Sequence, residues 1–209
     1  MYDELLEFAV RMAREAGKIH LAYFRSDKLA IRTKSNVYDV VTRADKESEE
    51  LIAGMIAERY PDHAILGEEG GSRGNVSGDW RWVVDPLDGT SNYIHNTAPY
   101  CVSIALRNRE ELLLGVVYEV CRDECFYAWK GSKAYLNGEE IHVSDIAVLD
   151  KAFIALGFPY DSDRYRPVAL KLVDRLYGFA GGTRLMGAAA AELCYVACGR
   201  IVARIEAYL

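Results

Sequence analysis

Trp82-Val83-Val84-Asp85-Pro86-Leu87-Asp88-Gly89-Thr90-Ser91-Asn92 is the stretch around which the rest of the chain is read. An apolar strand runs into two carboxylates three residues apart, and a glycine and a hydroxyl follow at once. Val83 and Val84 are expected to anchor the strand in a core. Pro86 has no N–H and a fixed φ, so it is expected to end the strand and stiffen the turn. Asp85 and Asp88 then stand at the strand's carboxyl end. Hard oxygen ligands of this kind suit Mg²⁺, which takes one or two carboxylates and leaves room for a substrate phosphate. Gly89 lets backbone approach a ligand closely, and Thr90 can cap a following helix whose free N–H groups hold phosphate. Taken alone, the stretch reads equally well as an ordinary polar turn. The upstream sequence decides between the two.

Upstream stands Asp39-Val40-Val41-Thr42-Arg43-Ala44-Asp45. Thr42 and Asp45 have capping-box spacing, with Asp in place of the commoner Glu. The helix they open is expected to run to Arg59, with Ala44, Leu51, Ile52, Met55 and Ile56 inward and Tyr60-Pro61 as its stop. Asp45 therefore has a structural reading, as a partner for first-turn N–H groups, beside any chemical one. Ala64-Ile65-Leu66 reads as a short strand that delivers Gly67-Glu68-Glu69-Gly70-Gly71. Adjacent side chains diverge, so one of the two glutamates is expected to point inward. Gly70 to Asp79 has the composition of an exposed loop. Further upstream, Arg25 to Asp39 is polar and irregular. Its Lys34 reads either as a solvated surface lysine or as a partner for a phosphate or a carboxylate.

The 209 residues are 51% hydrophobic and 27% charged, with a net charge of −6. That is enough to bury a sizeable core. No basic stripe interleaves with aromatics, which argues against nucleic acid as the primary partner. An acidic protein that handles phosphate must bring positive charge from elsewhere, and a bound metal is the obvious source. No apolar run approaches the roughly 18 residues needed to span a bilayer, and no signal peptide opens the chain, so a soluble cytoplasmic protein without a membrane partner is expected. The five cysteines (Cys101, Cys121, Cys125, Cys194, Cys198) are odd in number and have apolar neighbours, as reduced and mostly buried thiols do. The four histidines have no ligand spacing.

The flanking elements read as scaffold. Leu5, Ala9, Met12, Ala16, Ile19 and Tyr23 recur at alternating steps of four and three, one apolar face of a helix from about Asp3 to Phe24. Cys101 to Leu106, Leu112 to Val120 and Glu124 to Trp129 are strand-like. Asn108, Asp123, Gly131 and Asn137-Gly138 mark the turns between them. Asp163 to Tyr177 and Ala188 to Cys198 read as helices, the second ending at Gly199, and Ile201 to Ala207 as a last strand. Helices first, then strands and helices intermixed, give an α+β or layered α/β architecture.

Asp39-Val-Val-Thr-Arg-Ala-Asp45, then Gly67-Glu68-Glu69, then Asp85-Pro-Leu-Asp88-Gly-Thr90-Ser-Asn92 resemble, in that order and spacing, the inositol monophosphatase family. The resemblance extends through Gly115 to Tyr118, Leu136 to Ser144 and Gly187 to Arg200. It implies the α/β/α/β/α sandwich of that superfamily. One phosphatase unit over 1–209 is expected, with an N-terminal part to about 145 and an incomplete C-terminal part from about 146. It implies two or three Mg²⁺ ions, with Glu68, Asp85, Asp88 and the Leu87 carbonyl as ligands. It implies that Thr90, bonded to Asp45, positions the attacking water, with Glu68 also catalytic. Asp88, Gly89 and Thr90 would meet the phosphate; Gly187, Ala188, Ala189 and Glu206 would meet the substrate's hydroxyls. Glu206 at a strand end reads equally as a surface acid, and Arg184 as a surface or a substrate-contacting arginine. Inositol 1-phosphate is the expected substrate, with Li⁺ sensitivity and a homodimer. Fructose 1,6-bisphosphate, 3′-phosphoadenosine 5′-phosphate and histidinol phosphate are alternatives on the same motifs, and a non-catalytic binding protein is the alternative of a different class. The family's Trp-Asp motif after the position of Glu206 does not occur before Leu209. The expectation is therefore that these residues belong to a longer protein and that the closing elements are missing, and that a chain truly ending here is weak or inactive.

Overall fold

The four-and-three repeat near the start closes into α1 (Tyr2–Tyr23), which buries Leu5, Phe8, Ala9, Met12, Ala13, Ala16, Gly17 and His20. Asp3 lies in its first turn. The computed structural model describes residues 2–26, 29–33, 40–159 and 161–207. Lys34, and the Asp39 that opens the first motif, lie outside the described residues. A two-stranded antiparallel ribbon, β1 (Arg32–Thr33) with β2 (Val40–Val41), leads into α2 (Arg43–Arg59). The Thr42–Asp45 capping box forms as expected, and Tyr60 caps the other end. Helix α1 packs on α2, and the pair covers one face of a large sheet.

That sheet has eight strands. In chain order they are β3 (Ala64–Gly67), β4 (Gly71–Gly74), β5 (Arg81–Asp88), then, after the short α3 (Thr90–Ile94), β6 (Cys101–Arg107), β7 (Leu112–Glu119), β8 (Glu124–Trp129), β9 (Ala134–Leu136) and β10 (Glu139–Glu140). Their spatial order is β10-β9-β8-β7-β6-β5-β3-β4. Only β3 and β5 pair in parallel, and the rest is an antiparallel meander turned at Asp123, Gly131 and Asn137-Gly138, all with positive φ. The remaining elements are β11 (Phe153–Gly157), α4 (Ser162–Leu176), β12 (Gly182–Arg184), α5 (Ala189–Ala197) and β13 (Ala203–Glu206). Strands β12-β11-β13 form a wholly parallel three-stranded sheet. Helix α5 packs against β5, β6 and β7 on one side and β13 on the other. Leu172 and Leu176 of α4 cover the far face over Ile154 and Leu156. The result is the expected α/β/α/β/α layering.

Four local readings change. Pro86 does not end its strand: β5 runs to Asp88, with a register shift against β6 between Asp85 and Asp88. A residue without an N–H is tolerated where a bulge already breaks the ladder, and the bulge re-aims the carboxylates. Trp82 and Val84 enter the main core, while alternation leaves Val83 half-buried on the other face. Gly70 to Asp79 is not all loop. Gly71–Gly74 folds back on β3 with Gly67 opposite Gly71. The last strand begins at Ala203 rather than Ile201. All five cysteines are free thiols; Cys121 is exposed, Cys101 and Cys125 are buried. No helix among the described residues is long and apolar enough to cross a membrane.

Candidate metal and phosphate site

The β5 bulge presents Asp85 and Asp88 together. Asp85 Oδ1 accepts the Leu87 N–H at 3.1 Å. Asp88 accepts N–H groups from the first turn of α5, Ala189 at 3.1 Å and Ala190 at 2.7 Å, and takes the Cys101 thiol at 3.4 Å. The Ala189 amide therefore serves a carboxylate rather than the cavity. Burial raises Asp85 well above the usual carboxylate range, and the charges of Asp88 and Glu68 raise it further. Burial raises Asp88 too, against the pull of the α5 amides. Glu68 is exposed and reaches Asp85.

Gly89 follows at φ +88, in the left-handed region. A Cβ there would stand 2.9 Å from the Pro99 carbonyl and 3.0 Å from the Ala188 methyl, so this corner requires glycine. Gly89, not Thr90, is the cap of α3. This corrects the sequence reading. The Thr90 hydroxyl instead turns back, 3.2 Å from Asp45 Oδ1 and 2.9 Å from the Leu87 carbonyl. Asp45 is fully buried. Its Oδ2 accepts the Thr42 N–H at 2.9 Å. Burial pushes its carboxyl up to about 6, Thr42 pulls it down, and the Glu69 charge adds a smaller upward push. The two adjacent glutamates thus divide, Glu68 acting on Asp85 and Glu69 on Asp45.

Glu49 stands in no motif. Its carboxylate, 2% exposed, accepts the Glu69 N–H at 2.8 Å and the Gly70 N–H at 2.6 Å. Helix α2 thereby supports the turn that carries Glu68. Asn92 closes the third motif. It donates to the carbonyls of Pro99 at 2.7 Å and Met186 at 2.6 Å, fastening α3 to the 186–187 turn.

Beside Asp88 a cavity of about 740 Å³ runs past Asn92, Gly187, Ala189, Glu192, Arg204 and Glu206. Gly187, Ala189 and Glu206 are thus brought to one cavity, while Ala188 is buried behind Gly89. Glu206 is not a surface acid: its side chain is 12% exposed and paired with Arg204. Arg184 is exposed over the Phe153 ring and does not line this cavity.

Among the described residues, no three acidic, cysteine or histidine side chains form a ready metal cage. Mg²⁺ does not need one, because it keeps waters and takes one or two carboxylates with substrate phosphate. Two mutually repelling, half-buried carboxylates with an exposed third beside them fit that ion.

The sequence model of the inositol monophosphatase family matches residues 1–208. The chain belongs to the inositol monophosphatase family. Among relatives, the Nus factor SuhB of Pasteurella multocida is 39% identical over 200 residues, covering 95% of this chain and 74% of that protein. The structure of extragenic suppressor protein suhB from Bartonella henselae is similar with a TM-score of 0.89 at 32% identity, covering 95% of this chain and 76% of that one. An IMPase from Thermotoga maritima gives a TM-score of 0.85 at 30% identity, with 95% and 74% covered. The family motifs fall on the corner just described. Glu49, Glu192 and Arg204 lie outside those three motifs, and the contacts that give them a role, Glu49 with the 69–70 amides and Arg204 with Glu192, join separate elements of the fold.

Proposed function

We propose that this protein hydrolyses a phosphate monoester with the help of Mg²⁺, inositol 1-phosphate being the foremost substrate. The observation that carries this reading is the Thr90–Asp45 hydrogen bond standing beside the Asp85–Asp88 pair. Glu68, Asp85, Asp88 and the Leu87 carbonyl would hold the metal. When bound, the metal screens the phosphate's charge and acidifies water.

The chain's own groups do the positioning. Asp45, ionised at neutral pH, accepts the Thr90 proton. The Thr90 oxygen then has a lone pair with which to orient an attacking water, and Asp45 is the base behind it. Glu68 flanks the same corner. Gly89 leaves room for phosphate against bare backbone. Gly187 and Ala189 shape the wall for the leaving group, with Ala188 packed behind Gly89, and Glu206 accepts from its hydroxyls. No covalent enzyme intermediate is required.

The test is phosphate release from inositol 1-phosphate, fructose 1,6-bisphosphate and 3′-phosphoadenosine 5′-phosphate, with and without Mg²⁺, against Asp88→Asn. Release that needs Mg²⁺ and is lost in the variant supports the reading, and the ranking names the substrate. Full activity in Asp88→Asn removes the assigned metal role. The name Nus factor carried by relatives favours a second reading, in which the same fold serves binding or regulation rather than catalysis. No release from any ester, together with no Mg²⁺ binding by calorimetry, turns the balance to it.

A further inference from the structure

Glu206 lines the cavity and is held there by a chain of buried charges. The Arg204 side chain is 6% exposed and donates through Nε to Glu192 Oε2 at 2.7 Å and through Nη2 to Glu206. Glu192, 1% exposed, spends its other oxygen on the N–H groups of Met186 at 3.0 Å and Gly187 at 2.9 Å. One guanidinium therefore ties together α5, β13 and the 186–187 turn. Gly157, opposite Glu206 in the parallel ladder, makes the space. A Cβ there would stand 2.5 Å from the Glu206 carboxyl and 2.8 Å from Arg204 Nη2.

Arg204 has a fixed planar fork, so the Nε bond to Glu192 sets the direction in which Nη2 meets Glu206, which a lysine would not do. A carboxylate has about four lone-pair sites, and those not facing Arg204 remain to accept hydroxyl donors. Away from the proposed metal ligand Asp88, the charged side chains lining the cavity are Asp161, Glu192 and Glu206 against Arg164 and Arg204. That sum is net negative. A leaving group bearing a second acidic group meets like charge, whereas a neutral polyol meets a fixed acceptor.

We infer that Arg204, anchored by Glu192, is the positioning residue that fixes Glu206, and that this clamp selects a neutral polyhydroxylated leaving group over one with a second acidic group. The inference rests on the phosphatase reading and deepens it.

Its test compares kcat/KM, with Mg²⁺, for inositol 1-phosphate, fructose 1,6-bisphosphate and hydroxyl-free phenyl phosphate in the full-length protein. The native enzyme is expected to favour inositol 1-phosphate over both by about tenfold or more. Arg204→Gln is expected to cut the ratio of inositol 1-phosphate to phenyl phosphate by about tenfold, mainly through KM, with Arg204→Lys restoring part of it. Gly157→Ala removes no buried charge, so it carries the test if Arg204→Gln fails to fold. It crowds the Glu206–Arg204 pair and is expected to lower the same ratio. A folded variant set that loses both substrates in equal proportion overturns the inference, as does native preference for the bisphosphate. Native turnover of phenyl phosphate with no polyol preference overturns it while sparing the phosphatase reading. No turnover of any ester overturns both.

Discussion

Asp45 holds two jobs in one carboxylate. Its Oδ2 closes the cap of α2, and its Oδ1 faces the Thr90 hydroxyl. Asparagine keeps an oxygen for the cap but cannot take a proton. Asp45→Asn is therefore expected to cost roughly 100-fold or more in kcat. The cost in stability should stay near the ~1 kcal/mol typical of a weakened cap. Steady-state kinetics and urea unfolding on the same preparation check this; near-native kcat would leave Asp45 a cap alone. His20 makes a separate prediction. Burial pushes its imidazole down to about 3, against a smaller upward pull from the Pro86 carbonyl. The folded pKa lies below the unfolded one, so the unfolded chain binds the extra proton. The stability this residue contributes is full above about pH 6.5 and is lost as pH falls towards 3. At about pH 5 the loss is about 2 kcal/mol, and His20→Leu should remove that slope in urea unfolding at pH 7 and 5. An unchanged slope would show that other groups set it. At this scale, Asp45 was legible because its cap partner lies three residues away. Arg204 and Glu192 were not, because nothing near them in the chain announces a partner twelve residues off across two elements.

Strands carry the carboxylates, and helices hold them still. Helix α2 does so through Glu49, whose carboxylate binds the two amides of the turn that displays Glu68. Charge-assisted hydrogen bonds of this kind contribute about 1.5–3 kcal/mol each. Glu49→Gln keeps the shape and removes the charge. It should raise the Mg²⁺ concentration for half-maximal activity severalfold without touching a proposed ligand, as Mg²⁺ titrations of phosphate release would show. An unaltered Mg²⁺ requirement in a folded variant would detach the turn from Glu49. The periodic elements were readable: α1 from its four-and-three apolar steps, β6, β7 and β8 from their aromatic and β-branched content. Strand β4 was not, since Gly-Ser-Arg-Gly carries no strand propensity and pairs through backbone alone. The expectation that Pro86 ends the strand fails for a related reason. Proline's missing donor predicts a broken ladder but not whether the chain continues beyond it.

The whole molecule concentrates acid where its layers meet. Asp45, Asp85 and Asp88 all have raised carboxyls, with burial as the first cause. At these three carboxyls the metal-free folded state binds more protons than the unfolded one. The stability these groups contribute is full below about pH 4 and is lost as pH rises through their raised values. A divalent cation held by Asp85 and Asp88, as proposed, would take the place of their protons. Thermal unfolding should therefore show a Mg²⁺-induced rise in Tm that is small near pH 5 and grows towards pH 8. A rise independent of pH, or none, would contradict the assigned carboxylates. The layering itself was legible from the resemblance of the motifs; the division of Asp88 between the large sheet and α5 became visible only in three dimensions.

The two outermost strands of the large sheet have a further consequence. An uncovered strand edge is a template for another chain and so a seed for aggregation. Strand β10 is two exposed glutamates long, and β4 is a short run bounded by glycines whose Arg73 is drawn back to Glu49 and Glu50. Neither offers a stranger a hydrogen-bonding ladder long enough to grip. A sheet of eight strands thus ends, on both sides, in sequence unsuited to recruiting a ninth.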